Sequence, residues 1–322
     1  MKKAALFLLK FATTVGIVWF LFQKVDFASA WEAVRSVSLK YFLLGFTISA
    51  FSWYLNSVRW SKLLEIAGIQ VSAFKLFLYN LIGNFYSIIL PGGKLTGDAV
   101  CAYRFTKDFS EPESRGKYFI SVFIDRFLGV YTIVFLLSLF FIFQHPIIYI
   151  FGESTALLLG AIMVSITVGG LIAIFFPIFD SLLDWFSRLP IGPFAKLFSH
   201  LVSALRAYRQ DKNKLGVALL YSAVGMFFTP LAVYAMGLAL GLEVGFWEIL
   251  FIYLLATVLI ILPITIGGIG LREGGIIYFL TLAGAEPSKA AALSIIMFAI
   301  FVLLSLVGGL LELQYHFFKK NE

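Results

Sequence analysis

The sequence is poor in cysteine, histidine and charge. Only 13% of its 322 residues are Asp, Glu, Lys or Arg, and there is one cysteine, Cys101. A single cysteine excludes an internal disulfide framework and any cysteine-built metal site. The three histidines, His145, His200 and His316, lie far apart, each beyond an apolar run, so no zinc-ligand spacing is present. No metal and no cofactor are expected. A soluble domain carries about 25% charged residues, so the low charge speaks against a soluble fold. What fills the chain instead is apolar: 61% hydrophobic residues, with 36 phenylalanines and 14 tyrosines. Those aromatics suit lipid-facing and interfacial positions. Length alone allows about two soluble domains, but one bundle of membrane spans explains the composition better. The net charge of +7 then marks a cytoplasmic face and anionic lipid rather than nucleic acid.

A membrane-crossing helix needs about 20 mostly apolar residues. Such runs occur at about 4–22, 41–60, 117–143, 155–178, 214–240 and 289–315. Two further runs, 74–90 and 247–262, are too short to cross comfortably. The first ends in Leu90-Pro91-Gly92-Gly93, with Gly97 close behind. The second ends in Leu262-Pro263, followed by Gly267, Gly268 and Gly270. Each continues as a second piece carrying charge. The pattern predicts two re-entrant, broken-helix hairpins, at about 74–108 and 247–283. Irregular backbone at membrane depth survives only where protein buries it or it lines a wet cavity.

The basic residues test this arrangement. With a cytoplasmic N-terminus and hairpins that return to their own side, 17 of the 25 Lys and Arg fall on the cytoplasmic face. Only Lys24, Arg35, Lys40 and Lys289 fall outside, and Lys10, Lys94, Arg126 and Arg272 lie within segments. That bias follows the positive-inside rule and puts both termini in the cytoplasm. The two hairpins then enter from opposite faces. Their shared order of apolar run, Leu-Pro, paired glycines and charge points to an inverted repeat, whose broken segments meet at a central site in transporters. Two separately arisen Pro-Gly kinks are the competing reading.

Lys94, Asp98, Asp125, Arg126, Arg272 and Glu273 fall in or beside apolar segments. Facing lipid, six such groups would cost on the order of 15 kcal/mol. They must pair, meet water or meet a charged ligand. One reading is a buried ion-pair network that holds the bundle together. The other is a binding site. Half-helices starting near Thr96 and Leu271 offer free N–H groups and a dipole that attract anions. Arg272 and Arg126 add charge suited to phosphate, and Lys94 and Arg104 complete the cationic set. Asp98, Asp125 and Glu273 would balance the arginines, bind a cationic headgroup or carry a proton.

Weaker signals are set aside. Gly268-Ile269-Gly270 followed by Gly274 has the wrong spacing and no βαβ setting for a nucleotide loop. The stretch 193–210 has helical periodicity with a basic face, so about 179–213 reads as a cytoplasmic interfacial segment or a plain connector. Ala28-Ser29-Ala30 lies too far past the first run, which carries Lys10, for signal cleavage.

Certain motifs carry a family likeness. They are Asn56-Ser57-Val58-Arg59-Trp60, then Asn84, Pro91-Gly92-Gly93 through Gly97-Asp98 to Tyr103-Arg104, and Asp125-Arg126-Phe127-Leu128-Gly129. Leu262-Pro263 and Gly267-Gly268-Ile269-Gly270-Leu271-Arg272-Glu273-Gly274 close the series. Together they resemble the flippase-like family named for the transmembrane domain of lysylphosphatidylglycerol synthase. The likeness runs over nearly the whole chain. It implies an inner-membrane protein that moves an aminoacylated or otherwise modified lipid between leaflets. Family members that make lysylphosphatidylglycerol carry a soluble synthase domain after the spans. This chain ends at Glu322, just past its last run, so synthetic activity is not expected of it.

The expectation is thus one all-α transmembrane domain over 1–322, a polytopic helix bundle with two opposed hairpins, multi-pass in the plasma membrane. The expected function is translocation of a phospholipid, without catalysis. The expected partners are membrane lipids, anionic or aminoacylated, with no nucleic acid and homo-oligomerisation left open. Two alternatives stand: an ion-coupled carrier of a small anionic solute, and a membrane-embedded lipid-modifying enzyme. Against the enzyme, no nucleophile–base pair or metal cluster occurs at recognisable spacing.

Overall fold

The computed structural model describes residues 12–318 apart from 15, 17–18, 20–22, 24–25, 91–92, 109–111, 144–145, 178–205 and 262–269. Its helices are α1 (Phe27–Ser36), α2 (Leu39–Ile66), α3 (Ala73–Ile89), α4 (Lys94–Asp108) and α5 (Pro112–Ile142). They continue as α6 (Glu153–Phe175), α7 (Lys212–Ala239), α8 (Phe246–Ile261), α9 (Leu271–Leu282) and α10 (Pro287–Phe318). A 3-10 turn, Pro146–Phe151, joins α5 to α6. No strand occurs among the described residues. In hydrocarbon every backbone N–H and C=O must be satisfied within the segment, which leaves the helix as the answer for an apolar run.

Four helices have the length and apolar character of spans: Lys117–Ile142, Glu153–Phe175, Lys212–Ala239 and Pro287–Gln314. They coincide with four of the predicted runs, and the chain is an all-helical, multi-pass membrane bundle. The run predicted at 41–60 is helical within α2 but differs in two ways. The helix continues to Ile66, and it is not among the four. Ser49, Ser52, Asn56, Ser57 and Arg59 dilute its apolar character. Arg59, counted with the cytoplasmic charges, lies within the helix and is buried. The predicted run at 4–22 and the interfacial segment at 179–213 fall largely outside the described residues.

The two short runs become α3 and α8, 17 and 16 residues long. At 1.5 Å per residue each spans about 25 Å, short of a hydrocarbon core of about 30 Å. Each is followed by a break and a second helix, α4 or α9. Gly93 at φ 58° precedes α4 and Gly270 at φ 83° precedes α9. Both sit in the left-handed region that favours glycine. The first half-helix therefore begins at Lys94, two residues ahead of the expected start near Thr96.

The chain divides into two compact units. One comprises residues 1–52, 78–101 and 227–322. Its main support is α10, whose Ala290, Ala291, Ala292, Leu293, Ile296, Ile300 and Leu304 are all buried. Helices α1 and α9 pack on α10, and α8 packs on α9. Gly275 of α9 lies against Ala256 and Leu259 of α8, so these helices form a hairpin. In the first hairpin, Gly83 faces Gly97, and the Cys101 thiol donates to the Tyr79 carbonyl at 3.0 Å. The paired numbers fall on one side as they rise on the other, which is the register of an antiparallel pair. Small residues let the two backbones touch.

The other unit comprises 53–77 and 102–226. Leu63, Ile124, Leu128, Tyr131, Ile174, Tyr208, Leu215 and Ala218 form its core. Ala156, Gly160, Thr167 and Ile174 make the buried stripe of α6. Gly160 and Gly170 receive Phe141 and Tyr131 of α5. Tyr131 donates its hydroxyl to the Thr167 carbonyl at 2.7 Å. Its polar end is thereby satisfied inside an apolar layer.

Candidate functional site

In the unit built on α10, each hairpin carries its own charge pair. Lys94 opens α4 and donates to Asn84 Oδ1 of α3 at 2.7 Å, with Asp98 3.8 Å away one turn on. The Lys94 side chain is 45% exposed and that of Asp98 20%. Gly97, between them in sequence, is buried against Gly83 and Ser87. A β-carbon there would run into the Gly83 carbonyl. Glycine is therefore required for the hairpin to close.

The second pair opens α9. The Gly270 N–H donates to Glu273 Oε2 at 2.8 Å. Arg272 donates from Nε and Nη2 to Glu273 Oε1, at 2.9 and 2.6 Å. The guanidinium lies 5.3 Å from the centre of the Phe301 ring on α10, a cation–π contact. These side chains are 21% and 16% exposed. One carboxylate thus holds both the first turn of α9 and its arginine.

Phe301 belongs to a stripe of α10 that also holds Ser305, Gly308 and Glu312, at helical spacing. At its far end Gly308 meets the Leu81 backbone of α3, and Gly309 meets the Phe85 ring. Tyr86 donates its hydroxyl to Glu312 Oε1 at 3.1 Å. Both hairpins therefore dock on one face of α10, with about 16 Å along the axis between Phe301 and Glu312. Glu312 is buried. Sequence reasoning passed over Glu312, Tyr86 and the role of Asn84. The signal for Glu312 was present, since this carboxylate falls inside the run 289–315.

The remaining predicted residues lie in the other unit. Asp125 accepts from Arg59 through both oxygens, from Nε at 2.8 Å and Nη2 at 2.9 Å. Arg59 Nη1 donates to Ser222 at 2.9 Å, and Thr132 donates to Ser222 at 2.7 Å. Both charged groups are buried. This is a fork-to-fork pair with the third arm also satisfied, the strong form of charged hydrogen bonding. Tyr208 is buried nearby, and among the described residues its hydroxyl has no hydrogen-bond partner. Burial, and then the Asp125 carboxylate, push that hydroxyl above its ordinary value. Arg126, one position on from Asp125, is exposed, whereas Arg104 is buried.

Of the predicted breaks, Gly93, Gly97 and Gly270 are placed as described. Pro91, Gly92, Pro263, Gly267 and Gly268 lie outside the described residues. Among the described residues no group of three or more His, Cys, Asp or Glu could hold a metal ion.

The family model for the lysylphosphatidylglycerol synthase transmembrane region matches residues 7–309. The chain belongs to that family. A UPF0104 membrane protein of Pyrococcus horikoshii is 25% identical, over 98% of this chain and 97% of its own. Another of Methanothermobacter thermautotrophicus is 25% identical over 82% of both chains. A third, of Methanocaldococcus jannaschii, is 24% identical over 80% of this chain and 79% of its own. The matched region covers both hairpins, the Arg59–Asp125 pair and the α10 stripe up to Gly309; Glu312 lies just beyond it.

Proposed function

We propose that this protein translocates a phospholipid between the leaflets of the plasma membrane, with both termini cytoplasmic and the two hairpins re-entrant from opposite faces. The observation that carries the reading is the half-buried Arg272–Glu273 pair where α9 begins after a break. Unlike the closed Arg59–Asp125 pair, it keeps 21% and 16% of its side chains exposed at a helix start, and a charge facing the lipid interior would cost at least about 2.5–3.5 kcal/mol. A helix start with a guanidinium beside it is a phosphate-binding arrangement. Lys94 and Asp98, on the other hairpin of the same unit, supply a second pair of both signs. Such a path suits a headgroup that carries phosphate, with or without an added ammonium, and it requires no bond to be made or broken. Membership of a family described by a lipid synthase's transmembrane region agrees with a lipid as cargo.

The test is lipid movement in reconstituted proteoliposomes, with fluorescent phosphatidylglycerol and its lysyl derivative, comparing wild type with Arg272→Ala. A hydrogen bond to a charged group contributes about 1.5–3 kcal/mol, so the variant should move lipid at least about tenfold more slowly. Normal movement by the variant would remove Arg272 from the path. No movement by wild type would overturn the lipid reading and favour ion-dependent uptake of a small anion.

A further inference from the structure

Helix α1 offers a surface that the translocation reading does not use. Asp26 fixes its start, accepting from the N–H groups of Ala28 and Ser29 at 3.0 and 3.2 Å and from the Ser29 hydroxyl at 2.6 Å. Ala30 is fully buried, and Ala33, Val34 and Val37 continue that face at helical spacing. α1 packs on α10. The opposite face holds Trp31, 51% exposed, with the Arg35 guanidinium 5.4 Å from the ring centre. Exposed Leu39, Lys40 and Tyr41 follow directly.

Two details point to one partner. Glu32 lies one helical turn before Arg35, yet Arg35 stacks on the indole. Among the described residues neither Arg35 nor Lys40 meets a carboxylate. Two cations thus stand unneutralised beside a tryptophan, a leucine and a tyrosine. The location follows from α2, which begins at Leu39 and is 28 residues long. That is about 42 Å, enough to cross a bilayer with its headgroups. With its apolar part, the run 41–60, read as a span, its first residues lie at a membrane face. Aromatic rings favour that level, and long basic side chains reach from apolar surroundings to the phosphates there.

We propose that the Trp31–Arg35 face of α1, together with Lys40 at the start of α2, is a binding surface for the phosphate headgroups of anionic phospholipid, held at the membrane boundary by docking of α1 on α10. The indole and Leu39 enter the headgroup–acyl boundary while Arg35 and Lys40 take phosphate. The surface is distinct from Arg272 and stands whether or not the protein moves lipid.

The experiment uses the whole protein in vesicles of phosphatidylcholine containing a minor fraction of brominated phosphatidylglycerol or brominated phosphatidylcholine. Six tryptophans are present, so the emission of wild type minus that of Trp31→Phe isolates Trp31. Brominated phosphatidylglycerol should quench this signal more than brominated phosphatidylcholine. A basic side chain near an anionic surface is worth about 1 kcal/mol, or about fivefold in relative affinity. Arg35→Gln should reduce the preference by about that factor, and Arg35→Gln with Lys40→Gln should abolish it. Both side chains are exposed, so the variants should fold. Equal quenching by the two lipids in wild type would overturn the proposal. So would quenching of Trp31 by aqueous acrylamide and by neither lipid, or a preference unchanged in the double variant.

Discussion

Removing one partner of the Arg59–Asp125 pair should destabilise the protein far more than removing both. The pair is bidentate at 2.8 and 2.9 Å, and Ser222 takes the third arm of the guanidinium. Side-chain exposure is 6% for Arg59 and 9% for Asp125. Asp125→Leu leaves a guanidinium buried without its counter-charge, and Arg59→Met leaves a carboxylate in the same position. Breaking a buried pair in this way costs about 3–5 kcal/mol, whereas apolar replacement of both partners is often neutral or stabilising. Each kcal/mol moves the midpoint by about 2–4 °C in a chain somewhat smaller than this one. The single variants should therefore lose on the order of 10 °C, and Arg59→Met with Asp125→Leu should recover most of it. Fluorescence-detected size-exclusion after heating in detergent reads all four proteins. A double variant as unstable as the two losses added would show that the groups do not depend on each other. Single variants that melt with wild type would show that the pair contributes nothing to the fold.

Other consequences follow from the same geometry. Gly308→Leu should separate α10 from α3, because even a β-carbon there collides with the Leu81 carbonyl. Overpacking costs about 1–3 kcal/mol, and heating in detergent would reveal the loss, while Gly169→Ala, with open space around it, should melt as wild type. Tyr86→Phe removes the hydroxyl held by Glu312 and should cost about 1.5–3 kcal/mol; exchange of the α3 backbone amides should quicken in the variant. Hydrogen bonds from the Ser29 side chain, and then from backbone N–H groups, hold the Asp26 carboxyl below its ordinary 3.8. Its support of α1 should be complete above pH 3.8 and fade as pH falls through the lower folded value. Amide exchange at Ala28 and Ser29, followed between pH 5 and 2, would read this, and an Asp26→Asn protein should lack the dependence.

Local features of the chain determined its class and much of its layout. Apolar runs long enough to cross hydrocarbon need no knowledge of their neighbours, because a helix satisfies its own backbone. Four of them appear as helices α5, α6, α7 and α10. That each short run gives way to a second helix was equally legible, and Gly93 and Gly270, just before α4 and α9, adopt φ values that glycine favours. The helix that contains the run 41–60 extends past Arg59 to Ile66, and Arg59 is held within it by its partner. That partner was beyond sequence reasoning. Asp125 stands 66 positions from Arg59, and Glu312 stands 226 from Tyr86. Hydropathy and spacing report which residues share a face of one helix. Which faces meet depends on where two backbones can approach, at Gly97 against Gly83 and Gly308 against Leu81, and only the tertiary structure decides that. The chain alone therefore determined that charges lie among the spans, and the packing decided that Asp125 is closed by Arg59 while Arg272 remains half-buried at the opening of a helix.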